Sequence, residues 1–355
     1  MIYKPVILLG NGVRGNQKLV DAICSMQVPV LTTWMGIDLV SEDNPAFCGR
    51  PGILGQRAAN IIQQQATHFF CFGARMDGEQ VAYAYDRFAP RAEKIMYDVD
   101  DEEIGKMPDN WTAYRLDLNT MTKFEINPAP EWLAEAKGIY NKYRYELDGN
   151  DELDPFSFVR LLSEAGEPDD VFALGSSGMA PNSFLQAFKV KKGQRIHNVC
   201  TIGAMGADIP MALGSAVATG KRTICYTGDG GFQLNAQELE TIHRLHLPVN
   251  FFVMNNDGYG SIRVMQDGRF NGRRLGCDPA SGFTSPELSE LALAYGFMYK
   301  EIRKLSDFEG FASFPIIYEV FVSPEWQQFP RVMASLKDGV YSIDNMDDMT
   351  PKVEL

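Results

Sequence analysis

The chain has 355 residues, of which 45% are hydrophobic and 22% charged, and its formal net charge is −13. This length favours two domains, and the negative charge argues against nucleic acid or an anionic membrane as the main partner. The apolar runs are too short to cross a membrane and the N-terminus carries no signal-peptide pattern, so the sequence predicts a cytoplasmic protein.

The first part of the chain alternates short apolar runs with helical patterns. The helical patterns lie at 17–26 and 56–65. Strands that are apolar throughout and alternate with helices predict a parallel sheet covered on both faces. The predicted strands are VILLG, VPVLTT, HFFCFG and KIMYDVD, at 6–10, 28–33, 68–73 and 94–100.

A charged, tyrosine-rich stretch at 127–154 separates this series from a second one. Its segment EWLAEAKGIYNKYRYEL predicts an exposed helix, so we expect a linker between domains at 1–126 and 155–355. The sequence therefore predicts an α/β fold of two doubly wound parallel-sheet domains in tandem. In the second series, strands are predicted at 171–175, 222–228, 249–255 and 315–322, and helices at 155–165, within 209–218 and at 236–245.

A glycine-rich turn follows the first predicted strand. The sequence GNGVRG at 10–15 matches the GxGxxG pattern of dinucleotide-binding folds. Such folds end the second strand with an acidic residue that grips the ribose, whereas this strand ends in Thr32 and Thr33, with no carboxylate before Asp38. A tight strand-to-helix turn is therefore favoured over NAD binding.

Two further motifs lack a necessary partner. GSAVATGK at 214–221 resembles a phosphate-binding loop, but it has five residues between its glycines and Arg222 where Ser or Thr must ligate Mg²⁺. His243 and His246 lie three residues apart on a predicted helix without a third ligand nearby, which favours packing or a surface role over a metal site.

The most informative segment is GDGGFQLNAQELETIHRLHLPVNFFVMNNDGYG at 228–260, which predicts strand, glycine turn, helix, strand and an Asn-Asn pair. Ligands of open α/β sheets bind at the carboxyl ends of strands, so both ends of the segment can reach one point. Asp229 offers a carboxylate oxygen, Asn256 an amide oxygen and Gly258 a backbone carbonyl. Three protein oxygens suit Mg²⁺ when phosphate and water complete its octahedron.

The glycines after Asp229 have a separate role. Gly230 and Gly231 leave the start of the helix bare, where backbone N–H groups and the helix dipole can face phosphates. A metal would supply locally the positive charge that this acidic chain lacks. The alternative is a tight turn followed by a chance Asn-Asn pair, but the complete GDG, the spacing and the strand placement together favour a diphosphate site.

This segment resembles the signature of the thiamine diphosphate enzymes, in which GDG is followed by Asn-Asn at about this distance. The resemblance implies that Asp229, Asn256 and the Gly258 carbonyl ligate Mg²⁺. It extends to GAMG at 203–206, where the family wedges a large apolar side chain between the two rings of the cofactor. Met205 is the expected wedge, with core packing as the alternative.

The same resemblance implies the other cofactor contacts. The backbone of Gly203 and Met205 is expected to meet the aminopyrimidine, and the segment at 178–180 matches a loop whose backbone contacts the diphosphate. The implied cofactor-binding residues are Met179, Ala180, Gly203, Ala204, Met205, Gly228, Gly230, Gly231 and Tyr259.

The first domain is similar to the middle, Rossmann-like (DHS-like) domain of acetolactate synthases, through KPVILLGNGVR, PGILGQRAANIIQQQATHFFCFGARMD and KIMYDVDDEEIGK. GYGSIRVMQDGRFNGR, QAFKVKKGQR and DNMDDMTP resemble acetolactate synthase-like proteins of surface-polysaccharide gene clusters, so the resemblance covers essentially the whole chain. It implies a central domain at 1–126 and a thiamine diphosphate-binding domain at 155–355. In some relatives the middle domain binds FAD or a nucleotide, and the residues here leave FAD open.

The N-terminal pyrimidine-binding domain of the family has no counterpart in this sequence. In relatives that domain supplies the Glu that activates the cofactor ring, and half of the pocket, across a dimer interface. No catalytic residue is therefore assigned. We expect a truncated chain or one part of a split enzyme, which forms a homo-oligomer or pairs with a chain supplying that domain. A non-catalytic cofactor-binding or scaffolding protein is the alternative, and a nucleotide-dependent oxidoreductase is a weaker one.

The expected reaction is that of a carboligase or lyase acting on a 2-oxo acid such as pyruvate, with a second carbonyl compound as acceptor. SIRVMQDGRF at 261–270 lacks the Trp that shapes the acceptor pocket of acetolactate synthases. Ile262 stands where related 2-oxo acid decarboxylases place a Glu. Both departures favour a carboligase with an unusual acceptor, such as a sugar-related carbonyl.

Overall fold

A computed structural model describes residues 2–175, 179–337 and 340–353 of the chain. The chain divides into two compact units. Unit 1 comprises Met1–Arg144 with Phe329–Leu355, and unit 2 comprises Tyr145–Gln328. In the described residues, no helix is both long enough and apolar enough to cross a bilayer.

Unit 1 contains the first strand–helix series. Its elements in chain order are β1 Pro5–Leu9, α1 Gln17–Cys24, β2 Val30–Thr32, α2 Arg57–Gln64, β3 His68–Phe72, β4 Glu93–Asp98, α3 Asp101–Gly105, β5 Trp111–Arg115 and α4 Pro130–Tyr143. The strands form one parallel sheet in the order β2-β1-β3-β4-β5. All five residues of β1 are buried because a neighbouring strand lies on each side and helices cover the faces. The predicted doubly wound parallel sheet is confirmed.

Helix α4 lies in the region for which the sequence predicts an exposed linker helix, and that prediction is wrong. Trp132, Ala136 and Tyr140 are 3%, 0% and 1% exposed. A spacing of four residues places them on one helix face, and the Trp132 indole donates a hydrogen bond to the Pro5 carbonyl at 3.0 Å. Residues up to 144 therefore belong to unit 1, whereas the sequence places a linker at 127–154.

Unit 2 contains the second series. Its elements are α5 Pro155–Ala165, β6 Val171–Leu174, α6 Met179–Ala187, β7 Arg195–His197, α7 Asp208–Thr219, β8 Thr223–Gly228, α8 Asp229–Phe232, α9 Glu238–Arg244, β9 Val249–Asn255, α10 Gly260–Arg269, α11 Leu288–Ala294, β10 Met298–Ile302 and β11 Ile316–Phe321. In the described residues the strands form a parallel sheet in the order β10-β11-β9-β8-β6-β7. The chain moves from β6 to β7 on one side and then to β8 on the other, so the strand order reverses between β6 and β8. In such sheets, ligands bind outside the carboxyl ends of the strands at this reversal.

The last part of the chain returns to unit 1. Strands β12 Ala334–Lys337 and β13 Val340–Ile343 pair antiparallel. Beyond them, Met349 is completely buried, and its sulfur accepts a hydrogen bond from the Asn60 amide of α2 at 3.3 Å. The Arg57 guanidinium donates to the Met349 carbonyl at 3.1 Å. Met349 thus packs on α2, and residues 329–355 belong to unit 1. The sequence analysis instead assigns these residues to the domain at 155–355.

Candidate active site

The two ends of the GDG and Asn-Asn segment meet at the carboxyl edge of the sheet in unit 2. Strands β8 and β9 are parallel neighbours, and Gly228 pairs with Met254 at their ends. Asp229 begins α8 directly after β8, and Asn256 follows β9. Parallel pairing therefore brings the Asp229 and Asn256 loops together, as the sequence predicts for ligand-binding loops in an open sheet.

The Asp229 carboxylate links these two loops. The side chain is 4% exposed, and its oxygens accept hydrogen bonds from Gly230 N–H and Gly258 N–H, both at 2.8 Å. Burial raises the pKa of Asp229 from 3.8 to about 6, against the lowering effect of these N–H groups. Burial makes this carboxylate costly to ionise, and a nearby cation would stabilise its anionic form.

The turn after β9 presents the other two predicted ligand groups. Asn256 is 6% exposed, and its carbonyl accepts from the buried Arg263 guanidinium at 2.9 Å. Gly258 has φ +124°, and a methyl group on its Cα would collide with the Cys277 carbonyl. Glycine is therefore required at this position. One carboxylate, one amide oxygen and one carbonyl form a hard-oxygen donor set, which fits Mg²⁺.

No group of three or more His, Cys, Asp and Glu side chains that could hold a metal occurs among the described residues. A cation at this turn would consequently depend on amide and carbonyl oxygens beside Asp229, and on oxygens of a bound ligand. That requirement is the one expected for a metal that carries a diphosphate.

A cleft opens at the ends of β6, β8 and β9. Its lining includes most of the predicted residues together with several that were not predicted. The lining residues are Gly175, Met179, Ala180, Met205, Gly206, Asp208, Thr227, Gly228, Asp229, Gly230, Gly231, Met254, Asn256, Gly258, Tyr259, Gly260, Ser261 and Ile262.

Two predicted cofactor residues lie outside this lining. Gly203 and Ala204 are exposed and do not border the cleft, and Gly178 lies outside the described residues. Met205 borders the cleft and is 36% exposed, so the alternative of core packing is wrong. The Asn235 amide donates to the Gly206 carbonyl at 2.7 Å, which joins the GAMG segment to the chain after α8.

Gly230 allows close packing beside the cleft. A methyl group on its Cα would lie 2.6 Å from Cδ1 of Tyr259 and closer still to Cε1. The Tyr259 ring in turn packs edge-to-face on Phe283, with centroids 4.9 Å apart. By contrast, a methyl group at Gly231 would meet Thr227 at 3.4 Å and Asp208 at 3.6 Å, which are ordinary contacts. Packing among the described residues therefore does not require glycine at position 231.

Asp208 and Thr227 are cleft residues that the sequence analysis missed. Both are buried, and the Thr227 hydroxyl donates a hydrogen bond to the Asp208 carboxyl group. Burial raises the pKa of Asp208. The available signals were the position of Asp208 two residues after GAMG and that of Thr227 directly before GDG. Two buried carboxyl groups thus line one cleft, where a cation would offset their negative charge toward a phosphate ligand.

The glycine turn of unit 1 serves packing, as the sequence analysis favours. A methyl group at Gly12 would lie 2.8 Å from the Gly73 Cα, and one at Gly10 would overlap the same backbone. The Arg14 guanidinium pairs with the Asp38 carboxylate at 2.5 Å. The strand ends are therefore in direct backbone contact at the point where a Rossmann fold receives a pyrophosphate.

The other two motifs are also structural. Residues 214–219 belong to α7, which ends in a left-handed Gly220, so this segment does not form a phosphate-binding loop. The rings of His243 and His246 are 6.2 Å apart, and His243 lies beside Phe297, with ring centroids 6.0 Å apart.

Comparison with known proteins adds independent findings. The model of the thiamine pyrophosphate enzyme central domain matches residues 3–119, and that of the C-terminal TPP binding domain matches residues 175–311. The chain is 27% identical over 310 residues to an acetolactate synthase large subunit of Cyanidium caldarium, covering 82% of this chain and 52% of that protein.

Two further relatives agree with this comparison. The acetolactate synthase isozyme 2 large subunit of Escherichia coli K12 is 27% identical, covering 86% of this chain and 56% of that protein. An acetolactate synthase of Mycobacterium bovis is 28% identical, covering 93% of this chain and 57% of that protein. The chain spans about half the length of the curated relatives it matches.

Proposed function

Because the chain belongs to the thiamine diphosphate (thiamine pyrophosphate) enzymes and carries their central and C-terminal domains, we propose that the cleft at the ends of β6, β8 and β9 binds thiamine diphosphate with Mg²⁺. The observation that carries this proposal is the bridging of both loops by the buried Asp229 carboxylate. It joins the two halves of the motif at a position where a cation offsets the cost of burying the charge.

Different residues of the chain would bind the metal and the diphosphate. Asp229, the Asn256 amide and the Gly258 carbonyl would hold Mg²⁺, and the bare backbone at Gly230 and Gly231 would face the diphosphate. When bound, thiamine diphosphate supplies the carbanion-stabilising chemistry that lets a 2-oxo acid lose carbon dioxide. The half-exposed Met205 at the cleft would support the organic part of the cofactor.

We further propose an acetolactate synthase-like carboligase or lyase reaction, with a 2-oxo acid such as pyruvate as donor and a second carbonyl compound as acceptor. The relatives named acetolactate synthase support this class of reaction. Ile262 lines the cleft and is 36% exposed, so an apolar side chain borders the space beside the metal loop. Together with the absence of Trp from 261–270, this supports a carboligase with an unusual acceptor.

The pocket is proposed to be completed by residues beyond these two domains, on this polypeptide, on a second copy or on another chain. The relatives are about twice as long as the matched region. In addition, Met205, Ile262 and Met265 leave 36%, 36% and 37% of their surfaces exposed in unit 2. The carboxylate that activates the cofactor ring would come from these additional residues. The proposal does not require FAD.

Calorimetric titration with thiamine diphosphate in the presence and absence of Mg²⁺ tests the proposal. Wild type is expected to bind in a Mg²⁺-dependent manner, and Asp229→Ala is expected to lose at least about tenfold in affinity. Asp169→Ala is the control, because this carboxylate is 84% exposed and pairs only with Lys221 among its described ion pairs. The proposal is wrong if wild type and Asp229→Ala bind equally, or if neither binds even with a chain supplying the pyrimidine-binding domain.

Pyruvate consumption in that reconstituted mixture tests the reaction separately. Consumption that is lost in Asp229→Ala supports the enzyme. Cofactor binding without any consumption of pyruvate or of other 2-oxo acids would instead identify a non-catalytic binding protein.

A further inference from the structure

A buried carboxylate lies behind the metal loop, which we define as residues 255–258. Glu319 in β11 is 6% exposed, and its Oε1 accepts a hydrogen bond from the Asn255 amide at 2.6 Å. Its other oxygen accepts from the Tyr299 hydroxyl of β10. We infer that Glu319 is a positioning residue that sets the geometry of the metal loop through Asn255, an inference that rests on the proposed function.

The chemistry of the two side chains fixes the orientation of the Asn255 amide. An ionised carboxylate can only accept hydrogen bonds, so the Asn255 NH₂ group must face Glu319. The Asn255 oxygen then points the opposite way, where it accepts from Asp257 N–H at 3.0 Å. With a different partner in place of Glu319, the amide could rotate and present its NH₂ group to that N–H, which would break the second bond.

The second hydrogen bond holds a turn that is unfavourable by itself. Asp257 has φ +57°, a left-handed conformation that non-glycine residues rarely adopt, and Gly258 follows with φ +124°. This turn aims Gly258 N–H at the Asp229 carboxylate, 2.8 Å away. The path from Glu319 through Asn255 to Asp257 therefore ends at the groups proposed to ligate Mg²⁺.

Neither Asn255 nor Glu319 belongs to the lining of the cleft described above. Their effect on a bound cation is consequently indirect, through the backbone of the loop. Residues that orient metal ligands in this way commonly change metal affinity by 10–100-fold when replaced.

Asn250 provides a matched control on the same strand. It is completely buried in β9, and its amide donates to the carbonyls of Ala312 and Phe314 at 3.1 and 3.2 Å. Like Asn255, it is a hydrogen-bonded asparagine, but it lies at the opposite end of β9 from the metal loop. Asn250→Ala and Asn255→Ala should both lower the free energy of unfolding, whereas only the second should affect the metal.

The experiment titrates Mg²⁺ into each variant by calorimetry at saturating thiamine diphosphate. We expect Asn255→Ala and Glu319→Leu to raise the Kd for Mg²⁺ about 10–100-fold, while Asn250→Ala leaves it at the wild-type value. Glu319→Gln should remain closer to wild type than Glu319→Leu, because its amide oxygen can still accept from Asn255 while the Tyr299 hydroxyl accepts from its NH₂ group.

The outcomes separate this inference from the proposed function. If wild type shows no Mg²⁺-dependent binding, the proposed function fails and the positioning role with it. If wild type binds while Asn255→Ala and Glu319→Leu match Asn250→Ala in Kd, the positioning role alone is overturned. Should Glu319→Leu fail to fold, Asn255→Ala still decides, because a purely structural role predicts an unchanged Kd in that variant.

Discussion

Gly230 and Gly231 are adjacent glycines for which the structure predicts opposite consequences of the same substitution. In Gly230→Ala the new methyl group would lie 2.6 Å from Cδ1 of Tyr259, whose ring is already packed on Phe283. The ring cannot move without disturbing this contact, so the substitution overpacks the site. We expect the free energy of unfolding of the metal-free chain to fall by about 1–3 kcal/mol, and cofactor binding to weaken as Tyr259 shifts.

In Gly231→Ala the methyl group meets only ordinary contacts, with Thr227 at 3.4 Å and Asp208 at 3.6 Å. Gly231 lies within α8, where alanine is preferred over glycine. The metal-free chain should therefore keep its stability or gain about 0.5–1 kcal/mol. Thiamine diphosphate binding should nevertheless be lost, because the methyl group would fill the space through which the diphosphate reaches the backbone N–H groups.

Gly214→Ala is the control for this pair. Gly214 lies on the exposed side of α7, and no atom of the described residues lies within 4 Å of an added methyl group. It should gain the same helical stability and keep wild-type cofactor affinity. Urea denaturation of the metal-free variants and calorimetry with Mg²⁺ and thiamine diphosphate measure both quantities. Wild-type affinity in Gly231→Ala would refute the assigned approach of the diphosphate, and a Gly230→Ala chain as stable as Gly214→Ala would refute the packing argument.

Three further predictions concern pH and the boundaries of unit 1. Because burial raises the pKa of Asp229 from 3.8 to about 6, the folded metal-free chain holds this proton more tightly than the unfolded chain does. The contribution of Asp229 to the free energy of unfolding should therefore fall by about 3 kcal/mol as the pH rises from about 4 to about 6 and then stay level. Urea denaturation of wild type and of Asp229→Ala across this pH range measures this contribution. A difference between the two proteins that does not vary with pH would contradict the prediction. Met349→Ala should destabilise unit 1 by about 2–5 kcal/mol, because the Met349 side chain is 0% exposed. The control Lys352→Ala changes an exposed side chain and should alter the free energy of unfolding by less than about 0.5 kcal/mol. Equal denaturation midpoints for the two variants would show that the segment containing Met349 does not pack on unit 1. Trp132→Ala should lower the free energy of unfolding by about 3–5 kcal/mol in the same assay, because the indole is buried and hydrogen-bonded to the Pro5 carbonyl. A negligible decrease would indicate that α4 is a linker and not part of the core of unit 1.

The sequence predicts all the central strands of the two sheets and the edge strand β2. β8 and β9 are apolar runs bounded by turn residues, and a strand buried on both faces has no other pattern. The edge strands β5, β7 and β10 were missed. The sequences of β5 and β10, WTAYR and MYKEI, mix polar and apolar residues because a face or an edge of each meets solvent. Short strands of this kind carry too little hydrophobic contrast to be distinguished from loops.

The boundaries of unit 1 show a different limit. The stripe of Trp132, Ala136 and Tyr140 was present in the sequence, but the charged residues between them concealed it. The C-terminal segment DNMDDMTP at 344–351 has an even weaker hydrophobic pattern, since Met346 and Met349 are its only apolar residues. Their burial depends on amide donors from α2, and contacts between residues almost 300 positions apart leave no local pattern. The boundaries of unit 1 are therefore set by tertiary contacts, which the hydrophobic periodicity of the sequence does not reveal.

The lining of the cleft is acidic, which bears on how it would accept the diphosphate proposed above. Composition gives a net charge of −13, and the structure adds two buried carboxyl groups, Asp208 and Asp229, to the lining of one cleft. Burial raises the pKa of both, so each is costly to keep ionised. Asp208 is supported by the Thr227 hydroxyl, whereas Asp229 faces the loop that carries the Asn256 and Gly258 oxygens. A diphosphate can enter such a cleft only if a cation lies between its oxygens and these carboxyl groups or if the groups are protonated. A cation is therefore one way in which this lining can accept a diphosphate, and Asp229, which bonds both loops, is the residue proposed to hold it.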